Sequence, residues 1–278
     1  AVRRVREDER GADEARVLGL HLEGPYINAK RRGAQPEAHV RPPDVAEFQH
    51  WVALSGEAVR QITLAPETEG AEALVRAARA AEVIVSLGHT DATAQDVEAA
   101  VGWGATQGTH TFNAMPPLHH RHPGAAGAVL ARPEIVAEVI ADGVHLHPLV
   151  VRLLLAAKGP AGAVLITDAM EGAAMPDGEY ALGGVPVFVR DGTAAFADGT
   201  LAGSVLTMNR AFRNALRFAA LPPHVASAYA SANAARQLGL SDRLGSLEPG
   251  KDADLVLLRP DTGEVACTLI GGQIAYRR

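Results

Sequence analysis

The sequence predicts an α/β protein whose parallel strands form a barrel. Short apolar runs alternate with Ala-rich stretches of helical periodicity, a pattern typical of βαβ units and a parallel sheet. Each apolar run ends in an ionisable residue. In a parallel α/β barrel all strand C-termini open on one face, where active sites are built, so this regularity favours a barrel with a polar mouth.

Six strands and three helices account for the first part of the chain. The runs at 82–89 and 134–145 are rich in Val and Ile, as expected for strands buried on both faces. The predicted strands cover 15–24, 60–67, 82–89, 104–110, 134–145 and 162–169. The helical stretches between them are 70–80, 91–102 and 148–157.

The pattern changes after the sixth strand. A Gly-rich segment over about 173–203 contains three Asp-Gly pairs and predicts a β-hairpin insertion. Helices are predicted over 204–219 and 222–238, with Ser204 as a candidate N-cap.

The two ends of the chain differ from its middle. The first 17 residues are rich in Arg and Glu and resemble the end of a helix, without an initiator methionine. The last segment, 245–278, predicts three short strands in a small separate β layer. We therefore divide the chain into a barrel over 1–244, which contains the hairpin insertion, and a C-terminal β part over 245–278.

Composition limits the class of function. The 278 residues carry a net charge of −6, and no basic run suggests nucleic-acid binding. No apolar run reaches the roughly 18 residues that a membrane span needs, and the start has no signal-peptide pattern. Cys267 is the only cysteine, which excludes an internal disulfide and favours a reducing compartment. We expect a cytoplasmic protein that binds neither nucleic acid nor membranes.

The ionisable residues at the strand ends predict a metal site. One carboxylate and two imidazoles on three rigid strands, Glu23, His89 and His110, suit Zn²⁺ or Fe²⁺ with a position left for water. Asp168, at the last strand end, is the candidate general base and then acid. The complete set expected at the mouth is Glu23, Glu67, His89, His110, His145 and Asp168.

The stretch "GTHTFNAMPPLHHRHPGAAG" holds four of the 11 histidines and suggests a metal cluster at first sight. His110 directly follows a strand, whereas His119, His120 and His122 follow two prolines in a loop and cannot easily share one ion with it. We assign His110 to the metal and the loop to substrate or a subunit contact. Arg121 is a candidate anion-binding residue because a guanidinium binds phosphate bidentately; the alternative is a solvated surface arginine.

Two further segments are weaker candidates. The sequence "LAGS", 201–204, precedes a predicted helix, whose N-terminal N–H groups can bind an anion or a sugar hydroxyl. A plain helix cap is the alternative. The sequence "RRGAQP", 31–36, follows the first strand and can reach over the site.

Several motifs in this order resemble the N-acetylglucosamine-6-phosphate deacetylases of the amidohydrolase superfamily. They are "GLHLEGPYIN", "LAPE", "SLGHTDAT", "THTFNAMPPLHHRHPGAAGAVL", "ADGVHLHP", "LITDAM" and "GTLAGSVLTM". The resemblance runs from about residue 17 to the end, where "LEPGKDADLV" alone would indicate only the superfamily. It implies a distorted (β/α)8 barrel and a small β-sandwich built from both chain ends. Six of eight barrel strands are present, so we expect the missing N-terminal segment before residue 1.

The resemblance also implies a reaction and its residues. The reaction is hydrolysis of the N-acetyl group of N-acetylglucosamine 6-phosphate, with at least one divalent metal on Glu23, His89 and His110 and with Asp168 as acid/base. Arg121 is implied to reach the site of a neighbouring subunit, and hence a homodimer. The implied substrate-binding residues are Ala34, Gln35, Asn113, Ala114, Arg121, His145, Leu201, Ala202 and Gly203.

Two departures from the family pattern leave the substrate open. Gln35 stands where the family has a substrate-contacting histidine, and His122 stands where glutamate is usual. The alternatives are another metal amidohydrolase with a different substrate, and a catalytically inactive remnant kept as a folded or subunit-binding module.

Overall fold

Six parallel strands form one curved sheet, in the order in which they follow along the chain. The computed structural model describes residues 14–278. Residues 1–13 of the helix end that is predicted at the start of the chain lie outside the described residues. The strands are β1 (Leu20–Glu23), β2 (Val59–Leu64), β3 (Ile84–Leu87), β4 (Gln107–Gly108), β5 (Val136–Ile140) and β6 (Ala163–Ile166). The prediction of six parallel strands of a (β/α)8 barrel is confirmed.

All six strands are shorter than the runs predicted for them, and for β4 and β5 the structure shows the reason. β4 has only two residues, because the chain turns into the left-handed region at His110, where φ is 28°. β5 ends at Ile140 and not near residue 145, because the Asp142 carboxylate accepts the N–H groups of Val144 and His145 and folds the chain into a turn. Both strands therefore end in turns that carry a histidine.

Helices follow most of the strands. The helices predicted over 70–80, 91–102 and 148–157 are present, and two helices are additional, α1 (Val45–Leu54) and α4 (Gly124–Ala131). α4 is built from Gly, Ala, Val and Leu and is buried over most of its length, so it has no amphipathic periodicity to reveal it. The helices are α1 (Val45–Leu54), α2 (Ala71–Ala80), α3 (Ala94–Trp103), α4 (Gly124–Ala131), α5 (Pro148–Lys158), α6 (Met208–Ala219), α7 (Pro223–Ser227) and α8 (Asn233–Gln237), with a π-helical turn over Ala228–Ala232.

The helix prediction for residues 204–219 is wrong at its start. α6 begins at Met208, with Thr207 at its N-cap position, so Ser204 is not a cap. The Ser204 hydroxyl instead donates to the carbonyl of Thr167 and accepts the N–H of Leu206. The "LAGS" segment therefore does not lie at a helix N-terminus, and an anion site of that kind is excluded there.

Two antiparallel sheets lie beside the parallel one. The insertion predicted over 173–203 is a three-stranded sheet of β7 (Gly178–Leu182), β8 (Val185–Arg190) and β9 (Thr193–Ala195). It packs around a small apolar cluster of its own, which includes Val187, Val189 and Ala202. The three predicted C-terminal strands form the third sheet, with β10 (Leu255–Leu258), β11 (Val265–Ile270) and β12 (Gln273–Arg277).

The main hydrophobic core lies between the parallel sheet and its helices. β3 and β5 are buried along their whole length, as expected for strands covered on both faces. Within residues 14–278, no helix combines the length and hydropathy required to cross a membrane.

Candidate metal centre and active site

A cavity of about 660 Å³ opens at the carboxyl ends of the parallel strands. Five ionisable residues predicted for the barrel mouth line it, namely Glu23, His89, His110, His145 and Asp168. The predicted substrate-binding residues that also line it are Ala34, Gln35, Asn113, Ala114, Leu201 and Gly203. The chain thus brings together residues from six separate segments that lie far apart in the sequence.

Glu67 does not belong to this cavity, contrary to the sequence prediction. Its carboxylate accepts hydrogen bonds from the side chain of Asn28 (2.9 Å), from the backbone N–H of Asp91 (2.6 Å) and from the hydroxyl of Thr90. β2 ends three residues earlier, at Leu64. These hydrogen bonds hold Glu67 between the loops after β1 and β3, and its side chain does not line the cavity.

Glu23, His89 and His110 place three donor atoms within a small triangle. The Nε2 atoms of His89 and His110 lie 2.9 and 3.2 Å from the same Glu23 oxygen, and 3.0 Å from each other. Among residues 14–278, these three residues are the one group of three or more side chains that could hold a metal ion. The donor set, two imidazole nitrogens and one carboxylate oxygen, is that of a divalent transition-metal site.

The backbone aims these side chains at the cavity. His89, His110 and Asp168 each follow a parallel strand and adopt positive φ, at 49°, 28° and 47°. Positive φ is uncommon for residues other than glycine and costs of order 1–3 kcal/mol at each position. The three strand-end turns therefore lower the stability of the fold, and they direct the side chains of His89, His110 and Asp168 into the same cavity.

The second ring nitrogen of each histidine is held differently. His89 Nδ1 lies 2.7 Å from the carbonyl of Arg31, which requires Nδ1 to carry the proton and leaves Nε2 with a free lone pair. His110 is buried, and its Nδ1 has no hydrogen-bond partner in the described chain. The His89 tautomer fits a metal ligand.

The charges of the triad reinforce one another. Burial alone would raise the pKa of Glu23, but the two imidazoles outweigh it and hold that pKa well below its usual range. Burial lowers the pKa of His110, yet the facing Glu23 carboxylate outweighs that effect and raises it to about 9. An ionised carboxylate thus faces two ring nitrogens, and a cation is stabilised between them.

Asp168 lies in the same cavity with an altered acidity. Burial raises its pKa, and the charge of Glu23 raises it further, while His110 and His145 act in the opposite direction. The residue is fixed through its backbone, since its carbonyl accepts the N–H of Ser204 at 2.7 Å. A carboxyl group of raised pKa beside a group of candidate metal ligands is suited to proton transfer near neutral pH.

Asp142 is a functional candidate that the sequence pattern did not predict. One of its oxygens lies 2.6 Å from His145 Nδ1, and the two side chains are each only 8% exposed. Burial acts to raise the pKa of Asp142, but the His145 ring and two backbone N–H groups hold it below its usual value. The only sequence signal was that Asp142 precedes His145 by three residues after a strand end. Such a spacing alone does not indicate that one side chain orients the other.

The predicted sugar-binding segments reach the cavity from two sides. Gln35 packs onto the backbone of Gly24, where a Cβ added to that glycine would lie 2.5 Å from Gln35 Oε1. Leu201 and Gly203 line the cavity, whereas the side chain of Ala202 is buried in the core of the β7–β9 sheet.

Arg121 lies apart from the cavity of its own chain. It is exposed and belongs to a turn closed by backbone hydrogen bonds between His119 and His122. The rings of His119 and His120 are 4.3 Å apart and those of His119 and His122 are 5.6 Å apart. The loop histidines thus contact one another at the surface and take no part in the triad.

Comparison with known sequences agrees with the geometry. The profile described as "Amidohydrolase family" matches residues 2–275. An N-acetylglucosamine-6-phosphate deacetylase of Bacillus subtilis is 45% identical over 262 residues, which cover 94% of this chain and 66% of that protein. An N-acetylgalactosamine-6-phosphate deacetylase of Escherichia coli O157:H7 is 42% identical over 268 residues, or 96% of this chain and 70% of that protein. The chain spans about two thirds of the length of these relatives.

Solved structures show the same architecture. The structure of an N-acetyl-D-glucosamine-6-phosphate deacetylase variant from Mycobacterium smegmatis, in complex with N-acetyl-D-glucosamine-6-phosphate, superimposes with a TM-score of 0.89 at 38% identity. The match covers 92% of this chain and 68% of that one. The N-acetylglucosamine-6-phosphate deacetylase of Thermotoga maritima gives 0.88 at 37% identity, over 94% of this chain and 70% of that one.

Proposed function

The chain belongs to the amidohydrolase family, and we propose that its cavity hydrolyses the N-acetyl group of N-acetylglucosamine 6-phosphate to glucosamine 6-phosphate and acetate. The observation that carries the proposal is the convergence of the Glu23–His89–His110 donor set with Asp168 and His145 in one cavity. The similarity to deacetylases of this substrate supports the choice of sugar.

The donor triad fits a divalent metal by its chemistry. Its three ligand atoms lie within 3.2 Å of one another, and the His89 tautomer leaves Nε2 free to bind. A Zn²⁺ or Fe²⁺ ion held by these residues, at least one per subunit, would supply a Lewis acid and a water of lowered pKa.

His145 is proposed to polarise the amide carbonyl of the substrate. Its Nδ1–H donates to Asp142, so a hydrogen bond to the carbonyl oxygen must come from Nε2–H. Both ring nitrogens then carry protons, and the buried Asp142 carboxylate stabilises the positive charge of that ring. Such a donor strengthens as negative charge develops on the oxygen during attack.

Asp168 is proposed to move the proton. Its carboxylate accepts a proton from the attacking water as the new C–O bond forms. It then gives that proton to the amide nitrogen as the C–N bond breaks, so that the amine leaves in neutral form. The raised pKa of Asp168 brings it closer to the range in which both steps are efficient.

The remaining residues are proposed to bind the sugar phosphate. Ala34, Gln35, Leu201 and Gly203 line the cavity and are proposed to contact the sugar, with Ala202 holding its segment in place. Asn113 and Ala114 also line the cavity and are proposed to contact the phosphate. Arg121 is proposed to reach a partner's cavity in a homodimer. The cytoplasmic location expected from the composition belongs to this proposal as well.

N-acetylgalactosamine 6-phosphate is a second candidate substrate. The observation in its favour is the 42% identity to a deacetylase named for that sugar. The two substrates differ only in the configuration of one hydroxyl group, so a common reaction mechanism serves both.

An acetate-release assay tests the proposal. The chain is loaded with Zn²⁺ or Fe²⁺ and given each 6-phosphate sugar in parallel, with Asp168→Asn as the matched variant. We expect release from the glucosamine derivative and a rate reduced by at least about 10²-fold in the variant.

Equal rates for the two proteins would refute the role of Asp168. Faster release from the galactosamine derivative would make N-acetylgalactosamine 6-phosphate the preferred substrate. An uncharged acetamide turned over as fast as either sugar would favour another amidohydrolase, and a metal-loaded chain without turnover would favour an inactive remnant.

A further inference from the structure

We propose that Glu138 is a positioning residue for the metal centre and holds the ligand His110 through its backbone. The inference rests on the proposed metal site and adds to it a buried carboxylate that contacts none of the three proposed ligand atoms. The proposed mechanism makes no use of this group, although it is the most deeply buried carboxylate of the parallel sheet.

Glu138 lies in the middle of β5 with its side chain inside the curved sheet. It is 3% exposed, and its carboxylate contacts Gln61 of β2 and Gln107 of β4. β2 and β5 are not neighbours in the sheet. The contact between them therefore crosses the concave face, directly beneath the strand ends that form the cavity.

Three N–H donors surround the carboxylate. One oxygen accepts the side-chain amides of Gln61, at 2.7 Å, and of Gln107, and the other accepts the backbone N–H of His110 at 3.1 Å. The hydrogen bonds found for these oxygens in the described part of the chain all come from N–H donors. An ionised carboxylate, which only accepts hydrogen bonds, suits such an environment.

Glu138 holds the turn after β4 at two consecutive residues. Its side chain accepts the N–H of His110, and its backbone carbonyl accepts the N–H of Thr111 at 2.9 Å. β4 has only two residues, so the strand pairing itself gives this turn little support. The positive φ of His110 persists only if its surroundings impose it. Glu138 supplies that constraint and thereby fixes where the His110 ring points.

The charge of Glu138 adds a second effect. A buried carboxylate beneath the triad makes the site more favourable for a cation, since the low dielectric of the interior screens charges weakly. Geometry and charge act in the same direction, and both predict tighter metal binding than the three ligands alone would give.

The test compares metal affinity with stability in two variants. Glu138→Gln keeps the shape of the side chain but removes its charge. It also introduces an N–H donor that faces the N–H donors of Gln61, Gln107 and His110. Gln61→Met is the matched control, because Gln61 contacts the same carboxylate without touching His110. For each protein, the dissociation constant for Zn²⁺ is measured by competition with a chromophoric chelator, and the melting temperature is measured without metal.

We expect Glu138→Gln to weaken Zn²⁺ binding about 10–100-fold, the range usual for partners of metal ligands. Gln61→Met should stay within about twofold even if it lowers the melting temperature. Unchanged affinity in Glu138→Gln overturns the inference and leaves the proposed function intact. A wild-type chain that binds no metal instead overturns the metal site on which both depend.

A measurement on the unaltered protein covers the case in which Glu138→Gln does not fold. The backbone amide proton of His110 is followed by hydrogen exchange in the metal-free chain. We expect protection comparable to that of the amides within β5. Exchange as fast as that of the exposed loop around Arg121 would overturn the inference.

Discussion

The histidines at the strand ends and those in the loop after them are chemically identical but differently held. His89 and His110 are buried, occupy left-handed turns directly after parallel strands and face one carboxylate oxygen. His119, His120 and His122 are exposed, and the ring of His119 contacts that of His120 and stacks on that of His122. A histidine thus becomes a candidate metal ligand through its attachment to a rigid strand end, more than through a high local density of imidazoles.

The strongest test of this comparison removes one histidine from each group. His110→Asn should weaken Zn²⁺ binding by more than about 100-fold, beyond the loss expected for an outer partner, and should abolish acetate release. His120→Asn should leave both within about twofold, as for most surface substitutions. Metal content after dialysis, measured by elemental analysis, checks both variants. Loss of metal from His120→Asn would contradict the assignment of metal binding to the strand-end histidines alone.

A second test asks whether His145 also owes its role to the way it is held. Asp142→Asn removes the charge that stabilises the doubly protonated ring, and a hydrogen bond to a charged group contributes about 1.5–3 kcal/mol. We expect kcat to fall about 10–100-fold, with a smaller change in the amount of bound metal.

Asp96→Asn is the control for that variant, because Asp96 is a carboxylate of the α3 capping box that does not line the cavity. Steady-state acetate release over a pH series gives kcat for both proteins. A kcat for Asp142→Asn equal to that of the control would show that His145 needs no orienting partner.

The loop itself is tested through Arg121. If its guanidinium binds the phosphate of a neighbouring subunit's substrate, Arg121→Ala should raise KM about tenfold and leave the metal in place. Arg152→Ala, on the exposed face of α5, is the matched control. At a substrate concentration well below KM, mixing Arg121→Ala with the inactive Asp168→Asn chain should then raise the rate, because hybrid dimers contain one intact site. A mixture no more active than its components would refute the shared site.

The sequence predicted the parts of this site that depend on strand position. Parallel strands open on one side, so ionisable residues that end successive apolar runs meet there, and five of six do so. Glu67 failed this rule because hydrogen bonds from Asn28, Thr90 and Asp91 hold its carboxylate between the loops after β1 and β3. A two-residue strand such as β4 has too few residues for periodicity to define its end.

The supporting residues could not be predicted in the same way. Glu138 occupies the centre of an apolar strand and Asp142 a turn, and their roles depend on hydrogen bonds to a distant amide and a ring. Such contacts create no periodic pattern of apolar and polar residues by which the sequence could reveal them. Ser204 shows the converse, since a favourable N-cap residue is used instead to tie its segment to the end of β6.

The smallest expected effect concerns stability. The pKa of Asp168 is raised in the folded chain, so the ionised carboxylate destabilises the fold at neutral pH, and this penalty disappears once pH falls below the unfolded value of about 3.8. Asp168→Asn should therefore melt a few degrees higher than the parent at pH 7, since about 1 kcal/mol shifts the midpoint by about 2–4 °C. Calorimetry of the metal-free proteins from pH 7 down to pH 4 checks this, and the difference should shrink as the pH falls. A difference in melting temperature that is negative or independent of pH would show that the ionised Asp168 carboxylate does not destabilise the fold.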